Sequence, residues 1–342
     1  MEEELRNFIK VWISALISIS YCYYISSKIS KGFLRLLSLL PIFIIFLLIP
    51  LFVSSVHFCV ISTFFLSWLA NFKLLLFAFD QGPLTPLPSN LSRFFCFASF
   101  PIKTNQNPSS NRVSHKPMPK WVLACKIMVF SFLLRLYGNN YHNSLPRSAY
   151  LFIFTIHIYL ESEFILASVG ALLSTLLSCE IEPVFNDPYL ATSLQDFWSR
   201  RWNLMVPSIL RQTVHIPVQR FTAPFIGKQA FYAGVLATFT VSGLMHELIY
   251  YYIIRKSPTW EVTCFFMLHG VVLCAEMVAK RMRLCSPPHR AVSSLVVLAF
   301  VIVTAGWLFT PQVMRNNVDK RVISECLFVV DVVKSQVVRI LM

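Results

Sequence analysis

Eight stretches of this chain stay apolar for about 18 to 25 residues each, the length a helix needs to cross roughly 30 Å of hydrocarbon. They lie near residues 8–27, 33–52, 55–78, 121–138, 149–178, 230–254, 259–279 and 291–310. Composition agrees: 56% of the 342 residues are hydrophobic and 13% charged, where a soluble domain carries about a quarter charged. The expected fold is therefore an all-α polytopic membrane protein. The fifth block is too long for one straight crossing, so it tilts or runs on beyond the bilayer. A last segment, VISECLFVVDVVKSQVVRILM, is apolar but broken by Asp331 and Lys334, and reads either as a ninth span or as an interfacial helix. The longest polar stretches run about 40 to 50 residues, too short to build a core of their own, so residues 1–342 read as one domain. MEEELRN at the start is acidic where a secretory signal is basic, and the first block reads as a retained helix.

A formal charge of +14 invites a nucleic-acid reading, but the cations are scattered through loops with no groove-reading motif. Membrane topology accounts for them better. Lys28, Lys31 and Arg35 follow the first block, and Arg93, Lys103, Arg112, Lys116 and Lys120 follow the third. Arg200, Arg201, Arg211, Arg220 and Lys228 follow the fifth, and Lys280, Arg281, Arg283 and Arg290 the seventh. The alternate loops are poorer, with Arg147 after the fourth block and Arg255 and Lys256 after the sixth. The odd loops are thus expected in the cytosol and, with eight spans, both termini in the lumen. Arg315, Lys320 and Arg321 weigh mildly against that count. The nine cysteines lie far apart without a CxxC pair, so neither a zinc site nor a disulfide framework is expected, and no metal.

Two loops are long. Residues 81–120, with GPLTPLP and KTNQNPSSNRVSHKPMPK, have the proline- and amide-rich composition of an extended, partly flexible connector. Residues 179–229 mix aromatics, prolines and charges, which suits a segment folded against the membrane surface. No inverted repeat of the transporter kind is found.

Ionisable groups inside spans are expensive and each carries a functional and a structural reading. His157 and Glu161 share a helix face and satisfy each other in the structural reading. His246 lies one turn beyond Ser242 and Gly243, whose small side chains leave room beside the imidazole; catalysis and helix packing are both open for it. Glu247 is rotated by about 100° from His246 and pairs with another helix. The run is not HExxH, because Tyr250 stands four beyond His246. His269 and Glu276, seven apart on one face, form the main rival, structural or substrate-lining. The stretch SLQDFWSRRWN at 193–203 is the fourth place. Ser193 caps a short helix, and Asp196 sits in its first turn. Trp198 and Trp202 form an aromatic face suited to the lipid boundary, with Asp196, Arg200 and Asn203 on the neighbouring face. In the alternative, Arg200 and Arg201 only anchor against lipid phosphates.

Four landmarks make the chain resemble the membrane-bound O-acyltransferase superfamily, specifically the plant wax synthases, over nearly its whole length. They are WLANFKLLLFAFDQGPL at 68–84, EPVFNDPYLATSLQDFWSRRWN at 182–203, SGLMHE at 242–247 and TAGWLF at 304–309. One departure is Ser199, where relatives typically have glycine. The resemblance implies eight to nine helices around an intramembrane reaction chamber, with residues 179–229 as a cytosolic catalytic loop. It implies His246 and Asn203 as the catalytic pair, and Gln195, Asp196, Trp198, Arg200, Arg201, Trp202, Ser242 and His269 as substrate-binding residues. The implied reaction is transfer of an acyl group from acyl-CoA, a co-substrate rather than a cofactor, to a long-chain alcohol at the endoplasmic reticulum. His246 would take the alcohol proton, a contribution of roughly 10² to 10⁴ in rate, while Asn203 orients a partner or stabilises the oxyanion, worth roughly 3 to 4 kcal/mol. Expected partners are acyl-CoA, a fatty alcohol or sterol, and membrane lipid, and no nucleic acid. Three competitors remain: a sterol acyltransferase, a proton-coupled transporter using His157, Glu161, His246, His269 and Glu276 as a relay, and a purely structural membrane protein.

Overall fold

A computed structural model describes residues 2–102, 119–139, 144–283 and 289–341. They fold almost wholly into helices: α1 (Glu2–Tyr24), α2 (Phe33–Leu48), α3 (Val56–Ala78), α4 (Leu91–Ser99), α5 (Lys120–Gly138), α6 (Arg147–Leu177), α7 (194–201), α8 (205–226), α9 (Ala230–Ile254), α10 (Glu261–Arg281), α11 (Arg290–Arg315) and α12 (Val318–Leu341). Among the described residues eight helices are long and apolar enough to cross a membrane, with α8 and α9 forming one continuous candidate. The chain is a multi-pass integral membrane protein. Its outer surface carries Leu16, Ile17, Phe33, Leu34, Phe132, Leu172, Leu176, Leu295, Val303 and Trp307 exposed. Such a belt is too large for a water-soluble monomer and fits lipid.

The helices alternate in direction, so the loops collect at two ends. At one end Gly32 N–H donates to Ala78 O (2.7 Å), Arg35 pairs with Asp80 (2.5 Å) and Arg93 reaches Leu177 O (3.4 Å). These contacts unite the loops after α1, α3 and α6, the basic ones. At the other end Arg255 donates to Pro50 O and Val53 O, and Arg321 to Ile253 O and Ser54 O. Three apolar clusters fill the interior. Ile19, Leu39, Phe46, Leu74 and Phe94 join α1 to α4. Phe65, Trp68, Leu166, Phe185 and Leu210 join α3, α6 and α8. Leu194, Phe239, Phe265, Phe266 and Leu273 join α7, α9 and α10.

Several expectations need correcting. The first span begins at Glu2 rather than residue 8, because Glu2, Glu3 and Glu4 occupy the first helical turn, where carboxylates favour the positive end of the helix dipole. Residues 81–102 are not an extended connector: Asn90 caps α4 by accepting the Arg93 N–H at 2.8 Å, and Phe94 and Ala98 bury against α1. The remainder of that stretch, residues 103–118, lies outside the described residues. Much of 179–229 is helical as well, since α8 folds back along α9. Gly234 permits that hairpin, because a Cβ there would stand 2.9 Å from the His215 carbonyl oxygen. The long fifth block is a single helix of 31 residues, α6. The C-terminal segment is one helix whose start is packed against α3 and whose residues 331–339 are exposed.

Candidate active site

The short helix α7 is capped twice. Ser193 Oγ accepts the Asp196 N–H at 3.0 Å, as its position before the first turn predicts. From α10, the Glu276 carboxylate accepts the Leu194 N–H at 2.7 Å and the Gln195 N–H at 3.4 Å, and Lys280 Nζ steadies it at 2.6 Å. A half-buried carboxylate at a helix start both satisfies free N–H groups and meets the dipole. Seven residues earlier on the same face of α10, His269 Nδ1 accepts the Trp198 indole N–H at 3.1 Å. His269 and Glu276 are therefore the two grips by which α10 holds α7.

The end of α7 departs from the predicted register. Residues Phe197–Arg201 form a π turn, closed by the Trp202 N–H to Phe197 O at 2.8 Å. The wider turn moves partners from four apart to five apart. Arg201, rather than Arg200, meets Asp196 (Nε to Oδ2, 2.7 Å), and its Nη1 donates to Asn186 O (3.3 Å) and Asp187 O (3.2 Å). Arg200 stays exposed. Ser199, the departure from the resemblance, donates to Gln195 O at 2.5 Å within the helix.

The two tryptophans do not face lipid as expected. Phe197 is buried at the turn, and Trp198 is drawn inward by its bond to His269 and by edge contacts with Phe239 (5.7 Å) and Phe266 (5.8 Å). Trp202 stacks on Phe197 (5.5 Å) and meets Phe185 (5.2 Å) and Tyr159 (5.9 Å). The helix ends before Asn203, which adopts a left-handed backbone at φ 40°, a conformation asparagine tolerates better than most residues. Asn203 therefore shares no helix face with Asp196. Its Oδ1 is buried with no hydrogen-bond partner among the described residues, and such an acceptor costs about 1–3 kcal/mol until a donor arrives.

The histidines separate by what their nitrogens do. His269 is fully buried and uses both: Nδ1 accepts from Trp198, so Nε2 carries the proton and donates to Thr304 Oγ1 at 2.8 Å, and Thr304 donates onward to Phe300 O. His246 is half-buried. Its Nδ1 lies 2.7 Å from Ser242 O, which can only accept, so Nδ1 bears the proton and Nε2 is left as a lone pair. No hydrogen bond to Nε2 occurs among the described residues. Phe266 (4.5 Å) and Phe309 (5.7 Å) flank the ring. Among the described residues no hydrogen bond or ring contact joins His246 to Asn203; a chain of ring contacts runs from His246 through Phe266 and Trp198 to Trp202. Gly243 leaves no room for substrate, contrary to expectation, since a Cβ there would meet Thr263 Cα of α10 at 2.9 Å. Glu247 pairs with another helix as predicted, accepting from Thr263 N (3.3 Å) and Oγ1 (3.4 Å).

Beside α7, at the end of the basic loops, opens a cavity of about 700 Å³ lined by Gln195, Asp196, Arg200, Arg201, Lys280 and Arg290. Asp196 is matched by Arg201 and Lys280 by Glu276, while Arg200 and Arg290 have no ion pair among the described residues. The cavity's net field is positive. Sequence reasoning missed its scaffold: Lys126 pairs with Glu163 at 2.6 Å and lies 3.6 Å from Asp187, joining α5 and α6 to the stretch before α7. Tyr189 donates to Asp187 Oδ1 at 2.6 Å; burial pushes its hydroxyl above the usual tyrosine range, reinforced by Asp187. The available signal was a lone charge within a span, Lys126 inside the fourth apolar block.

Comparison with known proteins bears on the same residues. Residues 181–268, from the stretch before α7 into α10, match the profile of the membrane bound O-acyl transferase family. The chain is 75% identical, over the full length of both, to probable long-chain-alcohol O-fatty-acyltransferase 2 of Arabidopsis thaliana. It is 64% identical to probable long-chain-alcohol O-fatty-acyltransferase 1 over 98% of each chain, and 49% identical to number 3 over 100% of this chain and 99% of the relative.

Proposed function

As this chain belongs to the membrane bound O-acyltransferase family, in its plant wax synthase branch, and is an O-acyltransferase, we propose that it esterifies long-chain alcohols with fatty acyl groups taken from acyl-CoA. The observation that carries the reading is the free Nε2 of His246 beside a Nδ1 fixed by Ser242 O. A neutral imidazole in that tautomer is a general base. His246 Nε2 removes the hydroxyl proton as the alcohol oxygen attacks the thioester carbonyl. The tetrahedral intermediate then collapses, expelling the CoA thiolate, and the proton on Nε2 passes to that sulfur. No covalent acyl-enzyme is required, because the thioester arrives activated.

Asn203 serves this reaction through its amide. The unpaired Oδ1 accepts an amide N–H of the pantetheine arm and so orients the thioester, while the same amide's NH₂ is a donor for the developing oxyanion. The cavity lined by Arg200, Arg201, Lys280 and Arg290 suits the phosphates of CoA. His246 lies sixteen residues into α9 (246 minus 230), about 24 Å along the helix axis from Ala230. The pantetheine arm must therefore thread inward past Trp198 and Trp202, the rings that wall the route. The endoplasmic reticulum membrane is the proposed site of action, with the basic loops on the cytosolic side.

The relatives' names point to alcohols rather than sterols, and His269 and Glu276, both engaged in holding α7, are unsuited to a proton relay. The test is lipid analysis of a yeast strain lacking its own neutral-lipid acyltransferases and expressing this chain, fed fatty alcohol. Wax esters should appear with the wild-type chain and vanish with His246→Ala at equal membrane abundance. Sterol esters without wax esters would overturn the acceptor assignment, and undiminished synthesis by His246→Ala would overturn the base.

A further inference from the structure

Away from the candidate active site, towards the opposite end of the bundle, α3, α6 and α12 converge on a second cluster of chemistry-bearing side chains. His57 comes from the first turn of α3, His157 and Glu161 from successive turns of α6, and Cys326 from α12. His57 Nε2 stands 2.5 Å from Glu161 Oε1. Cys326 Sγ is 3.0 Å from Glu161 Oε1, 3.6 Å from His57 Nε2 and 3.9 Å from His157 Nε2. His157 Nε2 lies 3.5 Å from Glu161 Oε2. His157 is fully buried among Phe130, Tyr137 and Phe154, and the Glu161 side chain is 12% exposed.

We propose that His57, Glu161 and Cys326, whose ligand atoms lie within 4.8 Å of one another, bind a structural zinc ion that fastens α12 to α3 and α6. The proton arithmetic of His57 is the first reason. Its Nδ1 lies 2.6 Å from Glu325 Oε2, and that carboxylate also accepts from Ser55 Oγ (2.8 Å), Val56 N (2.9 Å) and His57 N (3.1 Å). A carboxylate so placed accepts a hydrogen bond from Nδ1–H, which leaves Nε2 as a lone pair facing the Glu161 oxygen. Two such acceptors need a proton or a metal ion between them. The carboxylate–histidine–metal arrangement is the usual outer support of a metal-bound imidazole.

Donor chemistry is the second reason. An imidazole, a thiolate and a carboxylate make an N, S and O set of the kind zinc takes, whereas magnesium and calcium select oxygen. Bonds of about 2.0 to 2.3 Å put tetrahedral ligand atoms about 3.3 to 3.8 Å apart. The 3.6 Å between Cys326 Sγ and His57 Nε2 lies in that range, and His157 stands beside the set, 3.5 Å from Glu161 Oε2 and 3.9 Å from Cys326 Sγ. Only the two contacts of Glu161 Oε1 are shorter, and a small rotation of that carboxylate opens both. Charge is the third reason. Neither Glu161 nor Glu325 pairs with a lysine or arginine among the described residues. A dication offsets Glu161 and the Cys326 thiolate, and its binding releases the thiol proton and any second proton on His57 to water. An ion held by side chains from three helices fastens them to one another, so the role is structural.

The experiment uses the full-length chain, purified in detergent through a tag without histidines and passed over a chelating resin. Elemental analysis should find about one zinc per chain, retained by the distant Cys96→Ala and lost from Cys326→Ser and His57→Ala. Protein grown on cobalt should show a thiolate-to-cobalt charge-transfer band and strong tetrahedral visible absorption, which keeps the proposal testable should the variants fail to accumulate. Zinc at background in the wild-type chain, zinc retained in full by Cys326→Ser, or cobalt without the thiolate band would each overturn it and leave a proton-shared network in its place.

Discussion

Replacing Gly243 by alanine tests whether α9 and α10 are held at a backbone-to-backbone distance that positions His246. The added Cβ would lie 2.9 Å from Thr263 Cα, 3.2 Å from its Cγ2 and 3.3 Å from its Cβ. Carbon atoms rest at about 3.5–4.0 Å, so the helices must part by roughly 0.6 Å or more, an overpacking cost of about 1–3 kcal/mol. Parting them also stretches the bonds from Thr263 N and Oγ1 to Glu247 Oε1, already 3.3 and 3.4 Å. Glu247 Oε2 has no partner to compensate, which adds about 1–3 kcal/mol. Alanine returns about 1 kcal/mol of helix propensity, so the net loss is about 3 kcal/mol. Gly170→Ala on α6, where nothing stands within 4 Å of the new Cβ, should instead gain up to about 1 kcal/mol. Unfolding of the purified chains in detergent should move in opposite directions for the two variants. Because the closest contact is with a Cα, trimming Thr263 to glycine should not rescue Gly243→Ala. A favourable coupling above about 1 kcal/mol in that double-mutant cycle, or a Gly243→Ala chain as stable as the wild type, would refute the reasoning.

Other substitutions separate holding from binding. Arg200→Ala, which breaks no ion pair among the described residues, should raise KM for acyl-CoA several-fold at constant kcat and flatten its dependence on salt; steady-state kinetics across ionic strength checks this. Arg201→Lys cannot reproduce three bonds from one planar group, and should lower kcat and thermal stability together. Asn203→Leu should abolish esterification, whereas Asn203→Asp keeps the acceptor and retains a measurable fraction of kcat; equal loss in both would discount the orienting role.

How far the sequence spoke differs between fold and site for a physical reason. Span existence follows from composition alone, because lipid imposes one length on every helix, and α9 begins and ends at the residues expected, 230 and 254. The basic loops gathered at one end as charge counting predicts. Boundaries failed where tertiary contact overrides composition. The proline-bearing stretch after residue 81 still builds α4, since Asn90 caps it and Phe94 finds α1. Residues 205–226 read as loop because Arg211, Arg220 and three prolines dilute their apolar character, yet they gain a partner in α9.

At the site, the residue types were legible and their pairings were not. Ser193 as a cap and Glu247 as an interhelical partner follow from position. The π turn does not: one extra residue in a single turn exchanges Arg200 for Arg201 opposite Asp196, and no periodicity in eleven residues encodes it. The same limit applies to His269 and Glu276. Seven residues apart, they advertise a shared face, but only the packed structure shows that face spent on gripping Trp198 and the start of α7. The zinc ligands proposed above are the extreme case. Cysteine spacing speaks only for ligands close in sequence, and His57, Glu161 and Cys326 are brought together by three helices that are remote along the chain. Satisfied polar atoms thus identify the scaffold of α7, and two unsatisfied ones, His246 Nε2 and Asn203 Oδ1, are those that the proposed substrates would complete.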